Sequence, residues 1–291
     1  MNSVITNSQK NNFERDGFLI LNNFISPEIC NNLIQRAYFL IEQFNPNKIK
    51  TIFSTKDQDQ HQSRNQYFLE SGDKIHYFFE ESSLDENGNL KFEKLKSINK
   101  FGHAIHDLDP VFNIFSRMHK IAILASDLGF KNPFITQSMY ICKQPKIGAE
   151  VNCHQDATFL YVHNEPIIGF WFALEDATLE NGCLWAIPGG HKEKLKSRFI
   201  REKNNTVRME MYDDTPWALE KMVPLEVPQG SVIVLSGTSP HMSKENTSSK
   251  SRHAYTLHFM SQTAQYAEDN WLQRSKFTTL LDSSFAASLT E

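Results

Sequence analysis

From residue 134 onward the sequence is written in short apolar runs separated by turn residues, and that rhythm limits what the chain can fold into. Phe134 to Lys143 alternates, with Ile135, Gln137, Met139 and Ile141 on one side, the period-two pattern of a strand that lays one face on a core. Ile167 to Leu174 reads as a second strand and Gly182 to Pro188 as a third, which ends in the turn Ile187-Pro188-Gly189-Gly190-His191. Pro228-Gln229-Gly230 turns the chain into the apolar run Ser231 to Leu235, and His253 to Met260 is the last strong strand. Between them, His191 to Pro216 is a charged excursion. Short strands at fairly even spacing, without internal repeats, point to a β-sandwich or barrel.

The obvious helices come earlier. Phe13 to Phe24 starts helical and turns at Gly17 into a short strand. Ser26-Pro27-Glu28 opens a helix with serine as N-cap, proline at the first helical position and an acid in the first turn. Ile29, Leu33, Ala37, Leu40 and Phe44 then recur at helical spacing, and Asn45-Pro46 ends the run. Asp109-Pro110 starts another, whose apolar face through Val111, Phe115, Met118, Ala122 and Ala125 carries it to Gly129. Residues 48–100 are irregular: Thr55 to Gln66 is polar, Tyr67 to Glu80 is aromatic, and Asp85 to Asn89 resembles a hairpin turn. Such a stretch is either disordered or a lid over a site. The expected organisation is one domain over 1–291, with helical support and lid in 1–130, the strand core in 131–265 and a tail in 266–291.

Composition narrows the partners. A net charge of −4 and a pI near 6.3 favour neither nucleic acid nor an acidic membrane surface. The four cysteines form no C-x-x-C pair and no framework spacing, which fits a reduced compartment. The polar start MNSVITNSQKNNFERDGF has no apolar core of a signal peptide, the longest apolar run is far short of the roughly 18 residues of a membrane span, and Leu289-Thr290-Glu291 is not a peroxisomal address. The expectation is a soluble cytoplasmic protein, its oligomeric state left open.

One triplet carries chemistry. In an extended segment His154 and Asp156 of Cys153-His154-Gln155-Asp156 point to one face, two members of the 2-His-1-carboxylate set that holds non-heme iron and leaves positions open. H-x-D alone occurs by chance, so a third ligand is needed. His241, six residues beyond the run ending at Leu235, is the candidate. Arg252 stands at the mouth of the final strand. If it points inward, so do Ala254, Thr256 and His258. A guanidinium in an apolar pocket is costly unless an anion meets it, and its two-pronged fork suits a carboxylate. Ser243 offers a hydroxyl to the same group.

With these residues assembled, the chain resembles the phytanoyl-CoA dioxygenase family of Fe(II)/2-oxoglutarate-dependent oxygenases. FERDGFLILNNFISPE is similar to its N-terminal segment, HQDATFLY to its first metal segment, LEDATLENGCLWAIPGGH to its central strand-turn-strand and RHAYTLHF to its last strand. SGDKIHYFFEE, KSINKFGHAIHDLDPVF and DNWLQ are similar to one branch of the family. The resemblance implies a mainly β fold with N-terminal helices, a double-stranded β-helix (jelly-roll or cupin-like) barrel buttressed by those helices. It implies Fe(II) held by His154, Asp156 and His241, with Lys100, Met139, Trp171, Ser243 and Arg252 at 2-oxoglutarate-contacting positions. It implies O2 as co-reactant and an ascorbate-type reductant that keeps the iron ferrous. The turn commonly written P-G-S-H in the family is Pro188-Gly189-Gly190-His191 here.

The reaction implied is decarboxylation of 2-oxoglutarate to succinate and CO2 coupled to hydroxylation of a small molecule, an acyl-CoA or lipid-related compound being one expectation. Asp156 favours hydroxylation, because halogenating relatives carry a small residue there. The alternative from another class is a non-catalytic module that senses iron or 2-oxoglutarate on the same fold. Other residues are weighed against plainer roles. His103 and His106 at i, i+3 are boundary residues near Lys100 more readily than ligands. His163 and His258 are read as structural. His191 is either a substrate contact or a solvated loop residue. Lys192, Lys194, Lys196, Arg198 and Arg201 suit a solvated face better than a grip on the phosphates of CoA. Cys153 is read as a small buried hydrophobe. The substrate itself is not written in the sequence.

Overall fold

The computed structural model describes residues 3–46, 52–53, 62–130, 132–165 and 167–280. The chain opens with α1 (Asn7–Asp16), nucleated by a capping box in which the Thr6 side chain accepts the Gln9 N–H and the Gln9 carboxamide accepts the Thr6 N–H. Gly17, at φ +81°, ends it and starts β1 (Phe18–Leu21). α2 (Pro27–Gln43) begins as the sequence predicts, the Ser26 hydroxyl accepting the Ile29 N–H, and it buries Cys30, Leu33, Ile34, Ala37 and Ile41. Thr55 to Gln66 lies mostly outside the described residues, as does the end of the expected tail. Of the irregular 48–100 stretch, the described residues form β2 (Ile52–Phe53), α3 (Gln62–Leu69), β3 (Ile75–Glu80) and β4 (Ile98–His103). The turn expected at Asp85 to Asn89 is present, the Asp85 N–H donating to the Asn89 carbonyl.

The helix expected from Asp109 to Gly129 is broken. After α4 (Ile105–Leu108), α5 (Pro110–Ser116) stops at Arg117, and α6 (His119–Asp127) starts afresh. The cause is the buried Arg117 guanidinium, which donates to the His106 carbonyl, to Asp107 and to Thr278. Apolar periodicity carries no trace of that tether.

The remaining strands are β5 (Phe134–Ile141), β6 (Val151–His154), β7 (Ile168–Ala173), β8 (Leu184–Ala186), β9 (Ser197–Arg201), β10 (Val207–Met211), β11 (Val223–Leu225), β12 (Val232–Ser236), β13 (His241–Ser243), β14 (Ala254–Met260) and β15 (Thr278–Thr279). A nine-stranded sheet runs β1-β12-β7-β14-β5-β4-β3-β2, with β15 added to β5, and a four-stranded sheet runs β11-β8-β13-β6. The charged excursion is a separate hairpin of β9 and β10.

Alternation along the large sheet builds two cores. Its outer side chains, among them Tyr140, Phe170, Phe172, Val234, Tyr255 and Leu257, pack on Leu33 and Ala37 of α2, Phe112 of α5 and Leu124 of α6. Each such fully buried side chain is worth about 1.5–3 kcal/mol before chain entropy is set against it. Its inner side chains Trp171, Ala173, Ile233, Leu235 and Ala254 meet Leu184, Ala186 and Leu225 of the small sheet. The sheets thus face one another in a cupin-like arrangement buttressed by helices. Among the described residues no ladder joins the two sheets, so the expected barrel is a sandwich rather than a closed cylinder.

Candidate active site

The space left between the sheets is a cavity of about 600 Å³, a size typical of small-molecule sites. At its centre stand His154, Asp156 and His241, whose ligand atoms all lie within 4.8 Å of one another. Strand register brings them together: His154 of β6 and His241 of β13 are direct cross-strand partners. Asp156 follows β6 in a short 3-10 turn. Asp156 Oδ1 is 3.6 Å from Nε2 of both histidines. His154 Nδ1 is 2.8 Å from the Asn152 carbonyl, and His241 Nδ1 is 3.0 Å from the Ser239 carbonyl. A carbonyl only accepts, so each Nδ1 carries the proton and each Nε2 lone pair faces Asp156. Burial lowers His241 to about 4 against the opposing charge of Asp156, which keeps the ring neutral. Burial alone would raise the Asp156 carboxyl, but the imidazoles of His241, His258 and His154 that converge on it hold it well below the usual carboxylate range. Two imidazoles, each presenting Nε2, and one carboxylate, converging from one side of an open cavity, fit a divalent iron with positions to spare.

His258, read from the sequence as structural, is part of this arrangement. Its Nε2 is 3.2 Å from Asp156 Oδ2, so the two carboxylate oxygens are divided between the metal ligands and this ring. Gly169 on the neighbouring strand allows the approach: a Cβ there would fall 3.2 Å from Asp156 Oδ2 and 3.3 Å from the His258 ring. The signal for His258 was the inward alternation from Arg252. Its partner, about a hundred residues away in sequence, had none.

All five residues expected at the cosubstrate line the same cavity as the triad: Lys100, Met139, Trp171, Ser243 and Arg252. Met139 and Trp171 are both register partners of Thr256 on β14, so they stand on either side of it. Arg252 is 1% exposed, donates from Nε to the Gly182 carbonyl at 3.2 Å and lies 5.0 Å from the Trp171 ring centroid. Its Nη1 is buried without a hydrogen-bond partner among the described residues. Burial brings Arg252 down to about 10, Lys100 to about 7, and Lys143, which the sequence reading missed, to about 7. Three buried cations on one wall are an unfavourable arrangement that a dianion would relieve. Gln137, 5% exposed, shares their strand face and also lines the cavity, its amide without a partner among the described residues.

Part of the cavity wall is aromatic and adjoins Lys100, whose Nζ lies 5.7 Å from the Phe78 ring centroid. Phe68 stacks on Trp271 with centroids 4.0 Å apart, and Phe78, Phe159 and Phe199 complete the wall. The expected aromatic lid segment is therefore a wall of the site. At the mouth, Lys196 pairs with Asp213 at 2.7 Å and lies 5.0 Å from the Trp217 ring. Arg198 pairs with Asp269, and Arg201 bonds Asn205 and the Leu69 carbonyl, while Lys192 and Lys194 are exposed. Much of the basic run is thus consumed locally. His103 bonds Ser71, His106 bonds Ser138 and Arg274, and His191 packs on Gly17. His163 is exposed, and Cys153, partly exposed, lines the cavity.

The chain has relatives among known proteins. Residues 13–254 match the family model described as Phytanoyl-CoA dioxygenase (PhyH). The chain is 46% identical over 275 residues to "Phytanoyl-CoA dioxygenase" of Arabidopsis thaliana, covering 94% of this chain and 95% of that protein. It is 42% identical over 280 residues to "Phytanoyl-CoA dioxygenase domain-containing protein 1" of Mus musculus, covering 93% and 96%. Among solved structures, the epimerase SnoN in complex with Fe3+, alpha ketoglutarate and nogalamycin RO aligns with a TM-score of 0.65 at 13% identity, over 94% of this chain and 98% of that one. At that identity the likeness speaks for the fold alone.

Proposed function

The chain belongs to the phytanoyl-CoA dioxygenase family, and from that premise we propose that it is an Fe(II)- and 2-oxoglutarate-dependent dioxygenase that hydroxylates a small molecule. The observation that carries the reading is Arg252: a buried guanidinium with an unmet Nη1, lining the same cavity as a His-Asp-His triad. His154, Asp156 and His241 would hold the iron. Iron there supplies the redox chemistry that couples decarboxylation of 2-oxoglutarate to oxygen insertion into a C–H bond.

The protein's own residues do the rest. Arg252 and Ser243 take the far carboxylate of 2-oxoglutarate, Lys100 balances its second charge, and Met139 and Trp171 bound its chain. His258 holds the outer oxygen of Asp156, so that one oxygen remains for the metal. The aromatic wall keeps water from the reacting end and takes an apolar portion of the substrate. Since Lys196 and Arg198 are already paired, an uncharged substrate suits the mouth better than a polyphosphate such as CoA. SnoN, an epimerase, shares the fold, so the fate of the substrate rests on these walls.

The test is succinate formation from 2-oxoglutarate by iron-loaded protein, with and without a panel of uncharged apolar compounds and acyl-CoAs. His154→Ala and Asp156→Ala should each abolish it. Undiminished turnover in either variant would overturn the assignment, and binding without turnover in the unaltered protein would favour a sensor.

A further inference from the structure

Lys143 lies two residues beyond β5, 2% exposed, with its backbone at φ +36°, a region non-glycine residues seldom occupy. Four contacts hold it there. Its carbonyl accepts the Arg252 N–H at 3.2 Å and the Asn246 Nδ2–H at 2.9 Å, tying it to the strand that carries the guanidinium and to the loop after β13. Its Nζ donates to the Ala149 carbonyl at 2.6 Å and to the Ser243 Oγ at 3.0 Å.

The last contact has a direction. With an anion beside it Lys143 is an ammonium, which carries donors only, so Ser243 Oγ is the acceptor and its single proton is left to donate elsewhere. Among the described residues Ser243 Oγ has no second partner, and Ser243, Lys143 and Arg252 line the cavity together. Gly182 links the two cations: its carbonyl accepts Arg252 Nε, and a Cβ on it would fall 2.6 Å from Lys143 Cε. No carboxylate among the described residues lies within ion-pair distance of either cation; Glu80, whose Oε2 accepts the Ala149 N–H, acts on them only through space. Two cations brought together by one glycine, with an oriented hydroxyl between them and the cavity, make a receptor for an anion.

We propose that Lys143 is a positioning residue for the cosubstrate: it fixes the Ser243 hydroxyl as a donor to the far carboxylate of 2-oxoglutarate, beside Arg252. The inference rests on the 2-oxoglutarate reading above and assigns a role to a residue outside the triad and its expected cosubstrate contacts. The competing account is that Lys143 merely pins the Ala149 carbonyl. The two differ in what they predict for ligands.

Binding is measured by calorimetry with Zn(II) in place of iron, so that no turnover intrudes, for 2-oxoglutarate and for 2-oxopentanoate, which has a methyl group in place of the far carboxylate. Lys143→Met should weaken 2-oxoglutarate by about 10- to 100-fold, the range of a charge-assisted hydrogen bond, and leave 2-oxopentanoate within about two-fold. Lys143→Arg should recover part of the loss. In a Ser243→Ala background, Lys143→Met should add little, because the lysine acts through the serine. Equal weakening of both ligands, full additivity with Ser243→Ala, or no loss at all would overturn the proposal. If Lys143→Met fails to fold, Lys143→Gln carries the same cycle. Absence of 2-oxoglutarate binding by the unaltered protein would overturn the functional reading itself, and this inference with it.

Discussion

Replacing Arg252 by methionine separates what the side chain does for a ligand from what it does to the fold. In the free protein the guanidinium has the Nε bond to Gly182, the Trp171 ring 5.0 Å away and an unmet Nη1. Losing the bond and stranding the Gly182 carbonyl costs about 1–3 kcal/mol. Losing the ring contact costs about 1–2 kcal/mol. Against that, the variant no longer buries an unmet N–H, worth about 1–3 kcal/mol, nor a cation without a carboxylate partner. These terms cancel to within about 2 kcal/mol, so the free variant should melt within several degrees of the parent. The ligand shows the opposite behaviour. Loss of a two-pronged charged contact of about 3 kcal/mol raises the 2-oxoglutarate Kd roughly 100-fold. At a concentration about 100 times the parent Kd, 2-oxoglutarate stabilises the parent by about 2.7 kcal/mol and the variant by only about 0.4 kcal/mol. Thermal melts of Zn(II)-loaded protein, with and without 2-oxoglutarate, read both quantities. A variant that keeps the full ligand-induced shift would refute Arg252 as the carboxylate anchor. A variant that collapses without ligand would refute the claim that the guanidinium is a burden on the free fold.

Further outcomes follow from the same geometry. Gly169→Ala is conformationally permitted but crowds Asp156 Oδ2 and His258, so metal affinity measured by competition with a chelator should fall about 10- to 100-fold while the melting temperature holds; unchanged affinity would show the carboxylate is not positioned there. Lys100, lowered by burial to about 7, should regain its proton beside a dianion and approach the ordinary lysine value of about 10.4. Between those values the complex holds a proton the free protein lacks, so affinity should fall as pH rises above about 7. Calorimetry in buffers of different ionisation heat would detect the uptake, and none at pH 8 would contradict it. Asp107 binds Arg117 at 2.7 Å and Arg274 at 2.5 Å; burial raises its carboxyl, but hydrogen bonds from Thr278 and Arg274 hold it well below the usual range. A depressed carboxyl contributes stability that is full above its unfolded value of about 3.9 and is lost as pH falls through the folded one. Asp107→Asn should therefore cost about 3–5 kcal/mol in urea unfolding at pH 7, with the gap narrowing below about pH 4; a gap independent of pH would exclude ionisation as its source.

What was legible in the sequence was what local chemistry writes down. Ser26-Pro27 announced α2, alternation announced β5 and β14, and H-x-D announced two donors on one face. Arg252 was legible because a lone cation at the edge of an apolar strand is itself an anomaly. The rest depended on partners far along the chain. Apolar spacing runs straight through Arg117, where a tether to residues 106, 107 and 278 ends the helix. INKFGH has too little pattern to advertise β4, yet every residue of it is buried by strands on both sides. Lys143 looks like any lysine after a strand until Gly182 and Ser243 close on it. His258 was correctly turned inward by alternation and still misread, since alternation gives a direction and no destination.

Among the described residues the two sheets share no ladder, and the proposed metal ligands and cosubstrate contacts are divided between them. His154 and His241 stand on the small sheet, while Lys100, Met139 and Trp171 stand on the large one. Under the proposed function the site would behave as a calliper, with the iron ligands on one jaw and much of the cosubstrate wall on the other. The gauge is set by the side chains that fill the gap: Trp171, Leu184, Ala186, Leu235 and Ala254. A substitution such as Ala173→Val lies in the same cluster and outside the cavity lining, yet it should spread the jaws and shift preference toward a longer 2-oxo diacid. Which diacid this fold accepts is thus a matter of core volume as much as of the charges that face it.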